Sequence, residues 1–155
     1  MAMARTGYSL QIEGENLARA KANEVSVSPK HCMEIARFIR GMKADAALEY
    51  LEAVVAKKKA VPFKHFNMDV AHKKGLVGWD AGRYPVKASG EFITLIKAAQ
   101  KNGEYAGLDT AKLVIAHVQA NRGRSMRSVF PRAMGRATPK VRETVNLELI
   151  LREVE

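Results

Sequence analysis

Among 155 residues there is one cysteine, Cys32, and one tryptophan, and aromatic residues make up only 6%. A lone thiol excludes an internal disulfide framework and suits a reducing cytosol. No run of about 18 apolar residues occurs, so no membrane span is expected. The opening MAMARTGYSLQIEGEN lacks the apolar centre of a secretory leader. It holds two start candidates, Met1 and Met3, and leaves open which is natural. No period of about 20–50 residues recurs, which excludes a repeat architecture. His31, His65, His72 and His117 show no metal-ligand spacing, either among themselves or with Cys32. Gly75, Gly78 and Gly82 follow no strand and match no phosphate-loop spacing. Asp45, Glu49 and Glu52 share the polar side of one helix, where solvation explains them. No motif sits in a catalytic context, so an enzyme is not expected, and no cofactor is implied.

What remains is about one domain's length with an ordinary core supply, 47% hydrophobic and 27% charged. Residues 17–25 (LARAKANEV) give a weak strand signal. Ser28-Pro29 reads as an N-cap followed by Pro at the first helical position. Cys32, Ile35, Ala36 and Ile39 follow at helical spacing, with Gly41 as the stop. Ala44, Ala47, Leu48, Leu51, Val54 and Val55 make the apolar stripe of a second helix. Residues 57–84 break the periodicity and read as a long basic loop carrying Lys57, Lys58, Lys59, Lys64, His65, Lys73 and Lys74. A third helix is predicted from Val86 to Lys101, burying Phe92, Ile93, Ile96 and Ala99 and ending near Gly103. Residues 112–120 form an apolar strand with His117 in mid-strand, read as a satisfied sheet residue or an RNA contact. Residues 143–154 alternate, with Val145, Leu147, Leu149 and Leu151 on one face and Thr144, Asn146, Glu148 and Arg152 on the other. The expected fold is α+β: a small antiparallel three-stranded sheet packed against three helices, with residues 121–142 as a long protruding basic β-hairpin.

The charge is unusual. Lys and Arg outnumber Asp and Glu by 26 to 16, for a net charge of +10, which points to a polyanionic partner. Between the last two strands, residues 122–142 hold Arg122, Arg124, Arg127, Arg132, Arg136, Lys140 and Arg142 and no acid, leaving only +3 for the other 134 residues. Arg predominates, and its planar fork suits phosphate oxygens and base stacking. Met126, Val129, Phe130 and Met134 are too few for a separate core. In water alone such a segment repels itself, and its composition makes sense inside an anion shell. If both flanking strands continue into it, about ten residues each way reach roughly 30 Å from the body.

The run FPRAMGRA (130–137), set between an apolar strand and an alternating one, resembles the hairpin of the universal large-subunit ribosomal protein twenty-two family. Residues 28–67 resemble that family's first two helices in order and spacing. GWDAGRYPVKASGEFITLIKAAQKN (78–102) resembles its third helix, with the lead-in of archaeal and eukaryotic members. The basic loop at 57–84 departs from the shorter bacterial pattern and fits the archaeal type. The resemblance implies a cytoplasmic ribosomal constituent that binds large-subunit ribosomal RNA, supports its assembly and neighbours other large-subunit proteins, with no membrane role. It implies RNA contacts by the seven hairpin cations with Phe130, and by Lys57, Lys58, Lys59, Lys64, Lys73 and Lys74 of the loop. It also implies that Met126, Arg127, Ser128, Val129 and Met134 line the exit tunnel beside the nascent peptide. The alternative is a free architectural nucleic-acid-binding protein with a basic β-arm.

Overall fold

A computed structural model describes residues 7–10, 12, 14 and 16–154, so both candidate start methionines lie outside the described residues. Strand β1 (Leu17–Val25) is followed by helices α1 (Pro29–Ile39) and α2 (Ala44–Val55). Two short strands, β2 (Val61–Pro62) and β3 (Gly82–Arg83), precede helix α3 (Val86–Tyr105), and strands β4 (Leu113–Pro131) and β5 (Ala137–Glu153) complete the order. The sheet runs β1-β5-β4, wholly antiparallel, with β5 in the middle. The fold is therefore α+β, with α1 packed over β4, α3 over β1, and α2 against α3.

Each helix buries the stripe that its sequence prescribes. Cys32, Ile35 and Ile39 of α1, Ala47, Leu51 and Val54 of α2, and Phe92, Ile96 and Ala99 of α3 are fully buried against Val145, Leu147, Leu149 and Leu151 of β5 and their neighbours. Val55 departs from its predicted stripe and is exposed, because α2 ends there. Burial pushes the Cys32 thiol up to about 12, with Glu91 adding to the effect, so it stays protonated and acts as a small apolar side chain.

Helix boundaries follow backbone chemistry, with two corrections. Ser28 occupies the N-cap of α1, but its hydroxyl makes no capping bond. Pro29 alone sets the entry, through its fixed φ and missing N–H. Helix α3 runs through Gly103 to Tyr105, and the stop is Gly107, at φ +80°. Gly103 is there for space instead: a Cβ would lie 3.3 Å from both Ala18 and Leu113. Gly41 does end α1, at φ +80°, and its N–H donates to the Ile115 carbonyl at 2.9 Å. The Ile115 N–H in turn donates to the Met42 carbonyl at 2.9 Å, and the register of β4 slips between Ile115 and His117. The turn between α1 and α2 is thus stitched to a bulge in β4.

The sheet face away from the helices is also partly covered. Glu148 and Ile150 are buried there. Ser9 donates to the Glu148 carboxylate from its backbone N–H at 2.8 Å and its hydroxyl at 2.7 Å, and Lys21 lies 3.2 Å away. Lys21 also donates to the Gly7 carbonyl, so the described part of the N-terminal segment is strapped across this face.

Candidate nucleic-acid interface

The interface begins where strands β4 and β5 leave the core. Pairing continues unbroken from Ser125↔Glu143 to Pro131↔Ala137, so both strands extend past residues 120 and 143, the limits of their apolar and alternating runs. The core-facing alternation that set those limits stops there: every residue from Arg124 to Pro139 is exposed. A bulge separates the two regimes, with the register shifting between Arg122 and Ser125. Gly123 makes it possible, since a Cβ there would fall 2.6 Å from the Thr144 hydroxyl oxygen. That hydroxyl donates to the Arg124 carbonyl at 2.8 Å and fixes the bulge.

Beyond the bulge, opposed residues share a face. Met126, Ser128 and Phe130 lie with Thr138, Lys140 and Arg142, while Arg127, Val129 and Pro131 lie with Ala137, Pro139 and Val141 on the reverse. The Lys140 ammonium sits 4.2 Å from the Phe130 ring centroid, a diagonal cation–π contact. At the tip the Arg132 N–H donates to the Arg136 carbonyl at 2.8 Å, and Met134 and Gly135 both take positive φ (58° and 64°). The turn therefore projects Arg132 and Arg136 together.

Electrostatically the hairpin is incomplete. Arg122 reaches Glu143 at 3.7 Å, at the base. Among the described residues, Arg124, Arg127, Arg132, Arg136, Lys140 and Arg142 have no carboxylate within ion-pair distance. Between them stand exposed apolar side chains, Met126, Val129, Phe130, and Met134 at 88% exposure. Unneutralised cations interleaved with exposed apolar groups suit phosphate contacts with packing on sugars and bases.

The basic loop is more ordered than its composition predicts. β2 and β3 pair within residues 57–84, His72 bridges Ala81, and the Trp79 indole donates to the Phe63 carbonyl at 2.8 Å. Its lysines are not brought together as one patch. Lys57–Lys59 follow the end of α2, with Lys59 over the Tyr50 ring. Lys73, beside Lys74, lies over the Tyr84 ring. Lys64 is held near α1 by Glu34, a buried carboxylate that accepts the N–H groups of Lys64, His65 and Phe66 at 3.1, 2.7 and 2.7 Å. Sequence reasoning passed over Glu34, because one acid on a helix looks like a solvated face.

His117 is buried, and its Nε2 finds no hydrogen-bond partner among the described residues, which departs from the first of its two expected roles, that of a satisfied sheet residue. Burial, aided by the Arg40 charge, lowers its pKa and keeps the ring neutral near pH 7. Among the described residues no His, Cys, Asp and Glu cluster could hold a metal ion, and no helix is long and apolar enough to cross a membrane.

A family model described as Ribosomal protein L22p/L17e matches residues 20–152. Large ribosomal subunit protein uL22 of Methanoregula boonei is 63% identical over 153 residues, covering 98% of this chain and 99% of its own. That of Methanoculleus marisnigri is 63% identical over 152 residues, with coverage of 98% and 99%. That of Methanocaldococcus jannaschii is 44% identical over 151 residues, 97% of each chain. All three relatives are archaeal. The match runs through the helices, the basic loop and the hairpin alike, and the chain belongs to the ribosomal protein L22p/L17e family.

Proposed function

We infer that this chain is a constituent of the large ribosomal subunit that binds ribosomal RNA and acts in the cytoplasm as part of the ribosome. The family is one of ribosomal proteins and not of enzymes. The observation that carries the reading is the hairpin: six cations without carboxylate partners among the described residues, on a protruding β-ribbon that adds nothing to the core. Phosphates supply the missing counter-charge, and Phe130 and the methionines pack on sugars or bases. The loop lysines 57–59, 64, 73 and 74 add contacts on the body. Met126, Arg127, Ser128, Val129 and Met134 face the nascent peptide in the exit tunnel, a role supported by the family and by their exposure.

Sedimentation tests this reading. The tagged chain should travel with large subunits in moderate salt and be stripped only at high salt. A chain that sediments alone, or with DNA, would instead favour the free architectural protein with a basic β-arm.

A further inference from the structure

We propose that a cleft on the globular body, lined by no residue of β4 or β5, holds a single unpaired RNA base with its flanking phosphate. The inference rests on the RNA-binding reading and adds a site to it. The cleft has a volume of about 290 Å³ and is walled by Lys30, His31, His65, Phe66, Met68 and Arg83, with the buried Phe63 behind them. No carboxylate lines it among the described residues. Its residues come from the first turn of α1, the segment after β2, and β3. The nearest acid along α1, Glu34, is already committed to three backbone N–H groups of the opposite wall. Those three hydrogen bonds fix His65 and Phe66 in place.

Two features make the cleft suit a base and not a simple anion. The first is its ring content: His31 meets Phe63 edge-on at 5.4 Å, and His65 meets Phe66 edge-on at 4.5 Å. The Lys30 ammonium lies over the Phe66 ring at 5.6 Å. It marks a π-face that a solvent-borne group can reach, and the flexible, exposed lysine can yield that face to a base and move onto the phosphate. The second is hydrogen bonding. Burial, with the Arg83 charge, lowers the His31 pKa, so the neutral ring offers one donor and one acceptor to a base edge. Arg83 and Lys30 supply the positive charge for the backbone. A concave site with one open ring face takes a splayed-out base, because stacked bases in a duplex present no face to it.

Methyl NMR on the full chain, labelled at its methionines, separates the cleft from the hairpin. Met68 reports on the cleft, and Met126 and Met134 report on the hairpin. A short single-stranded oligoadenylate should shift the Met68 methyl by ring current, whereas an RNA duplex or an oligoglutamate peptide should not. Phe66→Leu, which keeps an apolar group against the core, should weaken the Met68-monitored affinity roughly fivefold to a hundredfold, the factor carried by one base–aromatic stack. Met126 and Met134 should respond to RNA as before. If they respond while Met68 stays silent, the cleft proposal falls and the hairpin reading stands. If no methyl responds, both fall. A Met68 shift of equal size with duplex or oligoglutamate, or unchanged affinity in Phe66→Leu, overturns the base site.

Discussion

Replacing Arg127–Val141 by an Asn-Gly turn, so that Met126 meets its present partner Arg142 directly, separates folding from binding in one variant. Every excised residue is exposed except Lys140, which is half-exposed, and none belongs to the hydrophobic core. The strand–strand hydrogen bonds removed face water, and their loss is offset by backbone entropy, about 1–2 kcal/mol for each residue no longer ordered. The net change in stability should stay within about 1 kcal/mol, a Tm shift of about 2–4 °C for a chain of this size. Binding should change far more. The excision removes Arg127, Arg132, Arg136 and Lys140 and no acid, taking the net charge from +10 to +6. Each phosphate that is no longer neutralised takes about 0.7–0.9 from the log–log salt slope, so the slope for large-subunit RNA should become shallower by about 3 to 4. Filter binding across roughly 50–200 mM KCl measures the slope, and circular dichroism measures Tm. An unfolded variant would place folding energy in the hairpin, and an unchanged slope would place the binding surface elsewhere. Either result refutes the division between body and arm.

Other expectations follow from single residues. Gly123→Val must displace the Thr144 hydroxyl and should cost about 1–3 kcal/mol, seen as a lowered Tm, whereas Gly90→Ala, with nothing within 4 Å in mid-helix, should stabilise by about 0.5–1 kcal/mol. Glu34→Ala leaves three N–H groups without their acceptor and should cost about 3 kcal/mol or more in denaturant titration, with faster amide exchange at Lys64, His65 and Phe66. Burial lowers the His117 and His31 pKa values, so the unfolded chain binds more protons; stability is full above about pH 6.5 and falls as pH drops toward the folded values. His117→Leu should flatten part of that fall in Tm, and a Tm unaffected between about pH 7.5 and 5 would contradict it. Although burial opposes it, the Ser9 bonds and Lys21 hold the Glu148 carboxyl below its ordinary range. Its contribution is present above the unfolded carboxylate pKa and is lost as pH falls through the folded one, so Glu148→Gln should weaken the steepest acid limb of a Tm–pH curve.

The helices and the core-facing half of β5 were legible because burial imposes a period, and periods survive in sequence. The hairpin was legible for the opposite reason: seven like charges without an acid have no fold of their own to serve. Its register and its bulge at Gly123 were not legible, because solvent-exposed pairing imposes no alternation on residues 121–142. Gly103 misled because a glycine needed for close packing looks the same as one that stops a helix; only the approach of Ala18 and Leu113 tells them apart. The loop at 57–84 appeared shapeless because its order comes from Glu34, thirty residues upstream of Lys64, and from a two-residue ribbon too short to leave a pattern. The body cleft was invisible for the same reason, as its walls meet only when α1, residues 63–68 and Arg83 are folded together.

The middle position of β5 has a consequence for synthesis. Chains emerge from N- to C-terminus, yet the strand that joins β1 to β4 follows all the other described elements. β1 waits for a partner while more than a hundred residues are added, and β4 waits for its own return strand. Until β5 arrives, the apolar stripes of three helices have no sheet to close against, and completion depends on contacts distant in sequence, the slow kind. The arginine-rich segment up to Arg136 is made before that moment. Its five arginines, with no acid among them, oppose the close approach of a like-charged segment on another copy.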